Sequence, residues 1–290
     1  MVNIVCPVCK QPLDNKSNVL TCDAHGTFNL FNDVPILMKN ASTVNAEYFK
    51  GHWQERIEVE YAESKLQVAR DFLQPLKSVV KEASIEILDA GCGDGVHANV
   101  INEFCGDSFS LSGVDISLPA ACILKHRHPT STAINADVRY LPFEDEAFDV
   151  VFSYGVLAYT ESPADSFKEL CRTTKKEGVV GVWFYPKPSS IFLWSILSTV
   201  RWIGKVLPKP VIGMIANVIV PFLPILPTSS KVNLSNATWA QCKEVVMVNV
   251  APADLWYPTK DDIISLFERN GIEIFSIEEE VGISVWGEKK

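Results

Sequence analysis

Two pairs of metal-binding residue types stand near the amino end at spacings that let them converge: Cys6-Pro7-Val8-Cys9 and Cys22-Asp23-Ala24-His25. A C-x2-C pair and a C-x2-H pair, twelve residues apart and with Gly26 freeing the second turn, suit a tetrahedral zinc ion. Four protein ligands (Cys6, Cys9, Cys22 and His25) would fill its coordination sphere, so the ion expected here is structural. It would hold a segment of roughly 40 residues that cannot bury enough core of its own. A redox C-x2-C pair and a chance gathering of cysteines are the alternatives.

A second set of residues points to a nucleotide-like ligand. The apolar run Ile85-Glu86-Ile87-Leu88-Asp89-Ala90 breaks into Gly91-Cys92-Gly93-Asp94-Gly95 and resumes as a helix at His97-Ala98-Asn99-Val100-Ile101. Gly91, Gly93 and Gly95 carry no Cβ, so the chain can turn tightly there and bring its backbone against a ligand. A glycine-rich turn that binds nothing is the competing reading of those residues alone.

The elements that must position this turn follow downstream. Leu111-Ser112-Gly113-Val114-Asp115-Ile116 reads as a strand whose carboxylate, about 20 residues past the glycines, stands where a ribose diol would be gripped. Ala133 to Asp137 reads as a third strand with an acidic tip, Phe148 to Ser153 as a fourth and Val179 to Tyr185 as a fifth. Ser162-Pro163 opens a helix before the fifth, and Gly178 closes it after Lys175 and Lys176. This alternation predicts an α/β fold whose parallel sheet is covered on both faces, with the ligand at the carboxyl ends of the strands. A dinucleotide site would want GxGxxG, and position 96 is Val.

The chain resembles the class I S-adenosylmethionine-dependent methyltransferases. The resemblance rests on ILDAGCGDG at 87 to 95, GVDIS at 113 to 117, NADVRYLPFEDEAFDVVFSYGVLAYT at 135 to 160 and FKELCRTTKKEGVVGVWFY at 167 to 185. It implies a Rossmann-like core with a mostly parallel seven-stranded sheet. By that likeness Asp89 and the Gly91, Gly93, Gly95 loop line the methionine and ribose side of the cofactor. Asp115 accepts the ribose hydroxyls, Ile116 packs on adenine, and Asp137 with Val138 meets the adenine edge. Ser153 and Tyr154 stand where the family's fourth strand approaches the reactive methyl.

The sulfonium is an activated donor, so holding the acceptor in line supplies much of the acceleration, and a base is needed only where the acceptor must lose a proton. Relatives acting on small molecules resemble S-x-G-V-L-x-H at this point. Here Ser153-Tyr154-Gly155-Val156-Leu157-Ala158-Tyr159 puts Tyr159 in place of the histidine. A phenol with a reference pKa near 10 is a poor base at neutral pH. Tyr159 therefore either shapes the acceptor site or only packs over the cofactor. His97 and His52 are further residues able to carry a proton, with a structural role the plainer reading of each.

The cysteine segment resembles zinc ribbons fused to, or partnered with, some methyltransferases, and Thr27 to Leu37 reads as its strand-rich continuation. Bacterial enzymes that methylate guanine N1 of large-subunit ribosomal RNA carry a similar ribbon, with a longer spacing in the last ligand pair. Methyl transfer to ribosomal RNA is therefore the second reading, and a non-catalytic binding protein the third. Lys plus Arg total 26 against 35 Asp plus Glu, a net charge of −9, whereas phosphate recognition favours basic surfaces. The preferred acceptor is a small organic molecule, lipid-like or otherwise hydrophobic.

The expected organisation is a zinc ribbon over 1–40, a helical connector covering the cofactor over 41–83, and a catalytic core over 84–185 and 251–290. A hydrophobic helical insertion fills 186–250. Within it, residues 189–226 are apolar but broken by Pro221 and Pro224, short of the ~20 residues that span a bilayer. This stretch is expected to form a lid and much of the acceptor pocket. A bulky acceptor or a peripheral membrane contact would account for its apolar excess, and a helical hairpin packed on the core or a second subunit is the alternative. Oligomeric state is left open.

After the insertion, Thr259 with Asp262 forms a capping-box pattern before a helix that ends at Asn270-Gly271, and two closing strands follow at 272–277 and 281–286. Asp254, Trp256 and Tyr257 are acceptor-side candidates, with packing their plainer role. Met1 to Val5 lead straight into the first cysteine pair, and Cys92, Cys105, Cys122, Cys171 and Cys242 show no disulfide spacing. A reducing cytoplasm is the expected setting.

Overall fold

The computed structural model describes residues 2–16, 19–38, 61, 63–79, 84–106, 108–185, 214, 255–279 and 282–290. The whole of the apolar stretch 189–226 except residue 214, most of the connector, His52 and Asp254 lie outside the described residues.

The amino-terminal segment forms an antiparallel four-stranded sheet: β1 (Asp14–Lys16), β2 (Val19–Cys22), β3 (Gly26–Phe31) and β4 (Val34–Pro35), paired in that order. Asn32 and Asp33, both at positive φ (48° and 62°), make the two-residue turn between β3 and β4. Asn and Asp tolerate that left-handed backbone, whose twist matches a hairpin.

The second sheet has seven strands in the order β10-β11-β9-β8-β5-β6-β7. β5 (Ile85–Ala90), β6 (Phe109–Asp115), β7 (Thr132–Asn135), β8 (Phe148–Tyr154) and β9 (Thr174–Phe184) run parallel. β11 (Ile283–Lys289) lies antiparallel between β9 and β10 (Ile272–Glu278). The strand order reverses beside β5, and ligands bind at the carboxyl ends of strands at such a point.

Helices cover both faces, as near-continuously apolar strands require. Phe72 and Leu73 of α1 (Glu63–Leu73), Val100 and Ile101 of α2 (Val96–Cys105) and Leu124 of α3 (Leu118–Arg127) share one core with Ile87, Val150 and Phe152. Phe167 and Leu170 of α4 (Pro163–Thr173) and Phe267 of α5 (Lys260–Arg269) fill the other, with Leu88, Val151 and Val182. The capping box at Thr259 and Asp262 is formed, and Gly271 at φ 71° leads the chain out of α5. Trp286 of β11 lies fully buried over Gly181 and donates its indole N–H to the Phe72 carbonyl at 3.1 Å.

The largest departure from the expected boundaries lies between α4 and β9. α4 stops at Thr173 rather than running to Gly178, and β9 begins at Thr174 rather than Val179. The hydroxyls of Thr173 and Thr174 donate to the Leu170 carbonyl, satisfying the helix end early. Lys175 then turns to Asp149, with Nζ 2.9 Å from both carboxylate oxygens. Register slips between the Phe148–Thr174 and Val150–Val179 pairs, so residues 175–178 form a bulge.

The ribbon is not a separate globule. Leu20 and Leu37 belong to one sheet-face core and Val34 to the other. Ile36 bridges Asn135 in parallel, Leu37 N–H donates to the Asn135 carbonyl at 2.8 Å, and Val5 N–H donates to the Pro142 carbonyl at 2.9 Å. The β7 edge of the large sheet is thereby covered, as exposed strand edges usually must be.

Candidate functional site

The turn after β5 is built from glycines that nothing else could replace without strain. Gly91, Gly93 and Gly95 take φ values of 99°, 51° and 80°. A Cβ on Gly91 would stand 2.2 Å from Cγ2 of Val156, and one on Gly95 2.9 Å from Cδ1 of Leu124. Gly91→Ala is therefore expected to cost about 1 to 3 kcal/mol from backbone conformation alone, with the Val156 clash added. Thermal unfolding with and without S-adenosylhomocysteine measures it, and a variant as stable as the parent would refute the close approach.

Asp115 ends β6 directly against this turn. One carboxylate oxygen accepts Gly93 N–H at 2.9 Å and the other Ser117 N–H at 2.8 Å. Burial nevertheless dominates, pushing the carboxyl up to about 6, while the two amides pull the other way. Asp89 lies on β5, 1% exposed, with Oδ2 3.2 Å from Nδ1 of His97. Its Oδ1 is buried and has no hydrogen-bond partner among the described residues. A buried carboxylate oxygen without a donor costs free energy, and a cationic amine would satisfy it.

The remaining predicted residues fall around the same edge. Ile116 is half-buried just past β6, and Val138 is 5% exposed. Asp137 caps a short helical turn by accepting Arg139 N–H at 2.9 Å, and its carboxylate is 2.6 Å from Nη2 of Arg139. Ser153 donates its hydroxyl to the Ala90 carbonyl at 2.6 Å, pinning β8 to the strand that carries the glycine turn. Tyr154 stacks on Trp183 at 4.5 Å between ring centroids and 16° between planes. Burial raises its phenol well above the usual range, so Tyr154 stays protonated and is no base. Tyr159 is 6% exposed, with its ring edge-on to Tyr185 at 5.7 Å. Trp256 N–H donates to the Ala158 carbonyl at 2.9 Å and so reaches the Tyr159 turn.

Three contributions escaped the sequence. His97, seen there only as a lone histidine, is the partner of Asp89 and is ringed by Phe72, Phe152 and Tyr154 at 5.3 to 6.0 Å. Its position eight residues after Asp89 was the available signal, because a strand tip and the first turn of the next helix are neighbours. Tyr61 donates its hydroxyl to the Asp94 carbonyl and lies beneath the Arg127 guanidinium at 4.5 Å. Lys65 holds the Asp94 carboxylate at 2.6 Å. Nothing in the sequence joins residues 61 and 65 to the glycine turn.

In the amino-terminal segment, the ligand atoms of Cys6, Cys9, Cys22 and His25 all lie within 4.8 Å of one another. Sγ of Cys6 and of Cys22 are each 3.6 Å from Nδ1 of His25, and Sγ of Cys9 is 3.6 Å from Sγ of Cys22. Ligands around a tetrahedral zinc with bonds of about 2.3 Å stand about 3.8 Å apart, so the donor set fits that ion. His25 pulls the Cys22 thiol down to about 6, toward the thiolate that binds metal. Among the described residues the other cysteines, Cys92, Cys105, Cys122 and Cys171, are free. No helix among the described residues is long and apolar enough to cross a membrane.

Residues 88–182 match the family described as a methyltransferase domain. A putative 23S rRNA (guanine-N(1)-)-methyltransferase of Bacillus subtilis is 29% identical over 191 residues, 60% of this chain and 61% of that protein. A ubiquinone biosynthesis O-methyltransferase of Roseobacter denitrificans is 27% identical over 151 residues, covering 48% and 58% of the two chains. The chain spans 27% to 61% of the length of the curated relatives it matches. Magnesium protoporphyrin IX methyltransferase of Synechocystis, solved with bound SAH, is 13% identical and superimposes with a TM-score of 0.53 over 85% of this chain and 98% of that one. That last likeness is one of fold, and it is the fold that the reversed strand order and the glycine turn had already drawn. Over residues 88–182 the chain is thus similar to a methyltransferase domain, set within the fold of a methyltransferase.

Proposed function

We propose that this protein transfers the methyl group of S-adenosylmethionine to a small, hydrophobic organic acceptor. The observation that carries the cofactor half is the strained glycine turn with Asp115 clasped against it at the point where the strand order reverses. In this reading the two carboxylate oxygens of Asp115, each with a lone pair beyond its amide bond, accept the two ribose hydroxyls. The unpartnered Oδ1 of Asp89 takes the amine of the methionine moiety, and Ile116, Asp137 and Val138 frame the adenine.

The cofactor supplies an activated methyl when bound, and the protein's part is to exclude water and aim the acceptor. The ring wall formed by Tyr154, Trp183, Tyr185 and Tyr159 suits an apolar partner. Tyr159 shapes that acceptor side rather than removing a proton. Tyr159→Phe is thus expected to leave S-adenosylhomocysteine affinity unchanged within about twofold while raising the KM for acceptor. Calorimetry beside steady-state kinetics checks both, and an equal loss of cofactor binding would refute the division. We also assign a structural zinc ion to Cys6, Cys9, Cys22 and His25. The domain limits at 40, 83, 185 and 250 complete the proposal; the lid expected over 186–250 lies, residue 214 excepted, outside the described residues.

Methylation of ribosomal RNA is the second reading, favoured by the 191-residue likeness to the Bacillus subtilis protein. Against it stands the net charge of −9. Incubating the zinc-loaded protein with methyl-labelled cofactor and either total RNA or a lipid-soluble metabolite extract separates the two. Label in the extract is expected, and label confined to RNA would overturn the small-acceptor proposal.

A further inference from the structure

Asn135 and Lys10 carry no part of the assignment above, yet they join its two halves. Asn135 ends β7 at 4% exposure, and its side-chain Nδ2 donates to the carbonyls of Asp115 at 3.0 Å and Ile116 at 2.9 Å. Its own backbone carbonyl accepts Leu37 N–H from the ribbon at 2.8 Å. Lys10, directly after the Cys6–Cys9 pair, donates from Nζ to the Leu141 carbonyl at 2.9 Å and pairs with Glu169 at 2.8 Å. Arg172, paired with the same Glu169, holds the Leu141 and Phe143 carbonyls from the core side. Val5, directly before Cys6, donates to the Pro142 carbonyl at 2.9 Å.

The ribbon thus grips residues 135 to 142 at both ends, and between those ends lie Asp137 and Val138. Two of its grips, Val5 and Lys10, flank the first knuckle. Lys10 N–H also returns to the Cys6 carbonyl at 2.9 Å, closing that knuckle on itself. Whatever fixes the knuckle therefore fixes the loop, and through Asn135 it fixes the backbone that carries Asp115 and Ile116.

We propose that Asn135 and Lys10 are positioning residues for the cofactor cleft, through which metal held in the ribbon sets cofactor affinity; this rests on the cofactor reading given above. Two ligands coupled through one set of contacts must affect each other equally, because linkage is reciprocal. Zinc should then tighten S-adenosylhomocysteine, and S-adenosylhomocysteine should tighten zinc, by the same factor of about fivefold or more.

The experiment uses the full chain. S-adenosylhomocysteine affinity is measured by calorimetry on zinc-loaded and chelator-stripped protein, with circular dichroism recorded on both. Zinc affinity is measured by competition with a chromophoric chelator, with and without saturating S-adenosylhomocysteine. Lys10→Met and Asn135→Ala are carried through the whole of the same series. Expected are equal factors in the two directions for the parent protein, severalfold weaker S-adenosylhomocysteine binding in both variants, and a reciprocal factor that falls toward one. Should the stripped protein unfold, the two zinc-loaded variants decide alone. Metal-independent affinity in folded protein, or variants that bind and couple like the parent, would overturn the proposal while leaving the cofactor site standing. Failure of the zinc-loaded parent to bind S-adenosylhomocysteine at all would remove the cofactor reading as well.

Discussion

Asp115→Ala is expected to weaken S-adenosylmethionine binding by about 100-fold. A hydrogen bond to a charged group contributes about 1.5 to 3 kcal/mol, so losing two acceptors from a ribose diol removes at least about 3 kcal/mol, and each 1.36 kcal/mol is tenfold. Gly93 and Ser117 would also lose the acceptor that holds the turn and the start of α3. The same carboxyl gives a pH signature. Burial lifts it to about 6 in the free protein, and two hydroxyl donors favour the ionised form, so affinity should fall as pH drops below about 6. The sign for folding is opposite. The folded chain holds this proton more tightly than the unfolded chain, so the group favours folding below its ordinary value near 4 and that contribution is lost as pH rises through about 6. Asp115→Asn keeps the shape and should flatten the binding profile. Calorimetry from pH 5 to 8 measures both, and a parent profile as flat as that of the variant would refute the ribose role.

Cys22→Ser is expected to give the second large effect, loss of stoichiometric zinc together with a fall in the thermal midpoint of about 10 °C or more. The ribbon has few buried side chains of its own, and structural zinc supplies folding free energy directly in such units. Leu20, Val34 and Leu37 are built into the cores of the large sheet, so a loosened ribbon opens those cores too. A loss of a few kcal/mol moves the midpoint by about 2 to 4 °C per kcal/mol in a chain of this size class. Metal analysis and calorimetric melting check it. A variant that melts with the parent would show that strand pairing alone holds the ribbon.

The sequence carried the catalytic core well because its signals were local and repeated. Alternating apolar runs, acidic strand tips and glycines at fixed positions all read out a βαβ succession, and the strands formed within a few residues of their expected places. The four metal-binding residues converged for the same reason: each pair sits in its own tight turn, Cys22 and His25 between β2 and β3 and Cys6 and Cys9 in a turn closed by Lys10 N–H on the Cys6 carbonyl. The break at Thr173 was missed because Lys175, Lys176 and Gly178 have the composition of a helix end, while the deciding bonds come from threonine hydroxyls and from Asp149 on another strand. The docking of the ribbon through Asn135 and Lys10, and the aromatic nest around His97, depend on pairs far apart in the chain. Periodicity holds no information about such pairs.

Trp286 gives the order of assembly a direction. Its indole bond to Phe72 joins residues 214 positions apart, and its ring covers Gly181 at the centre of the sheet. During synthesis α1 therefore has no finished wall to rest on until β11 has been made, although the parallel strands precede it by a hundred residues or so. Contacts of that separation slow folding, since the loop must be closed before the contact returns anything. The seat of α1 on the sheet is completed last, by β11, the final strand in chain order.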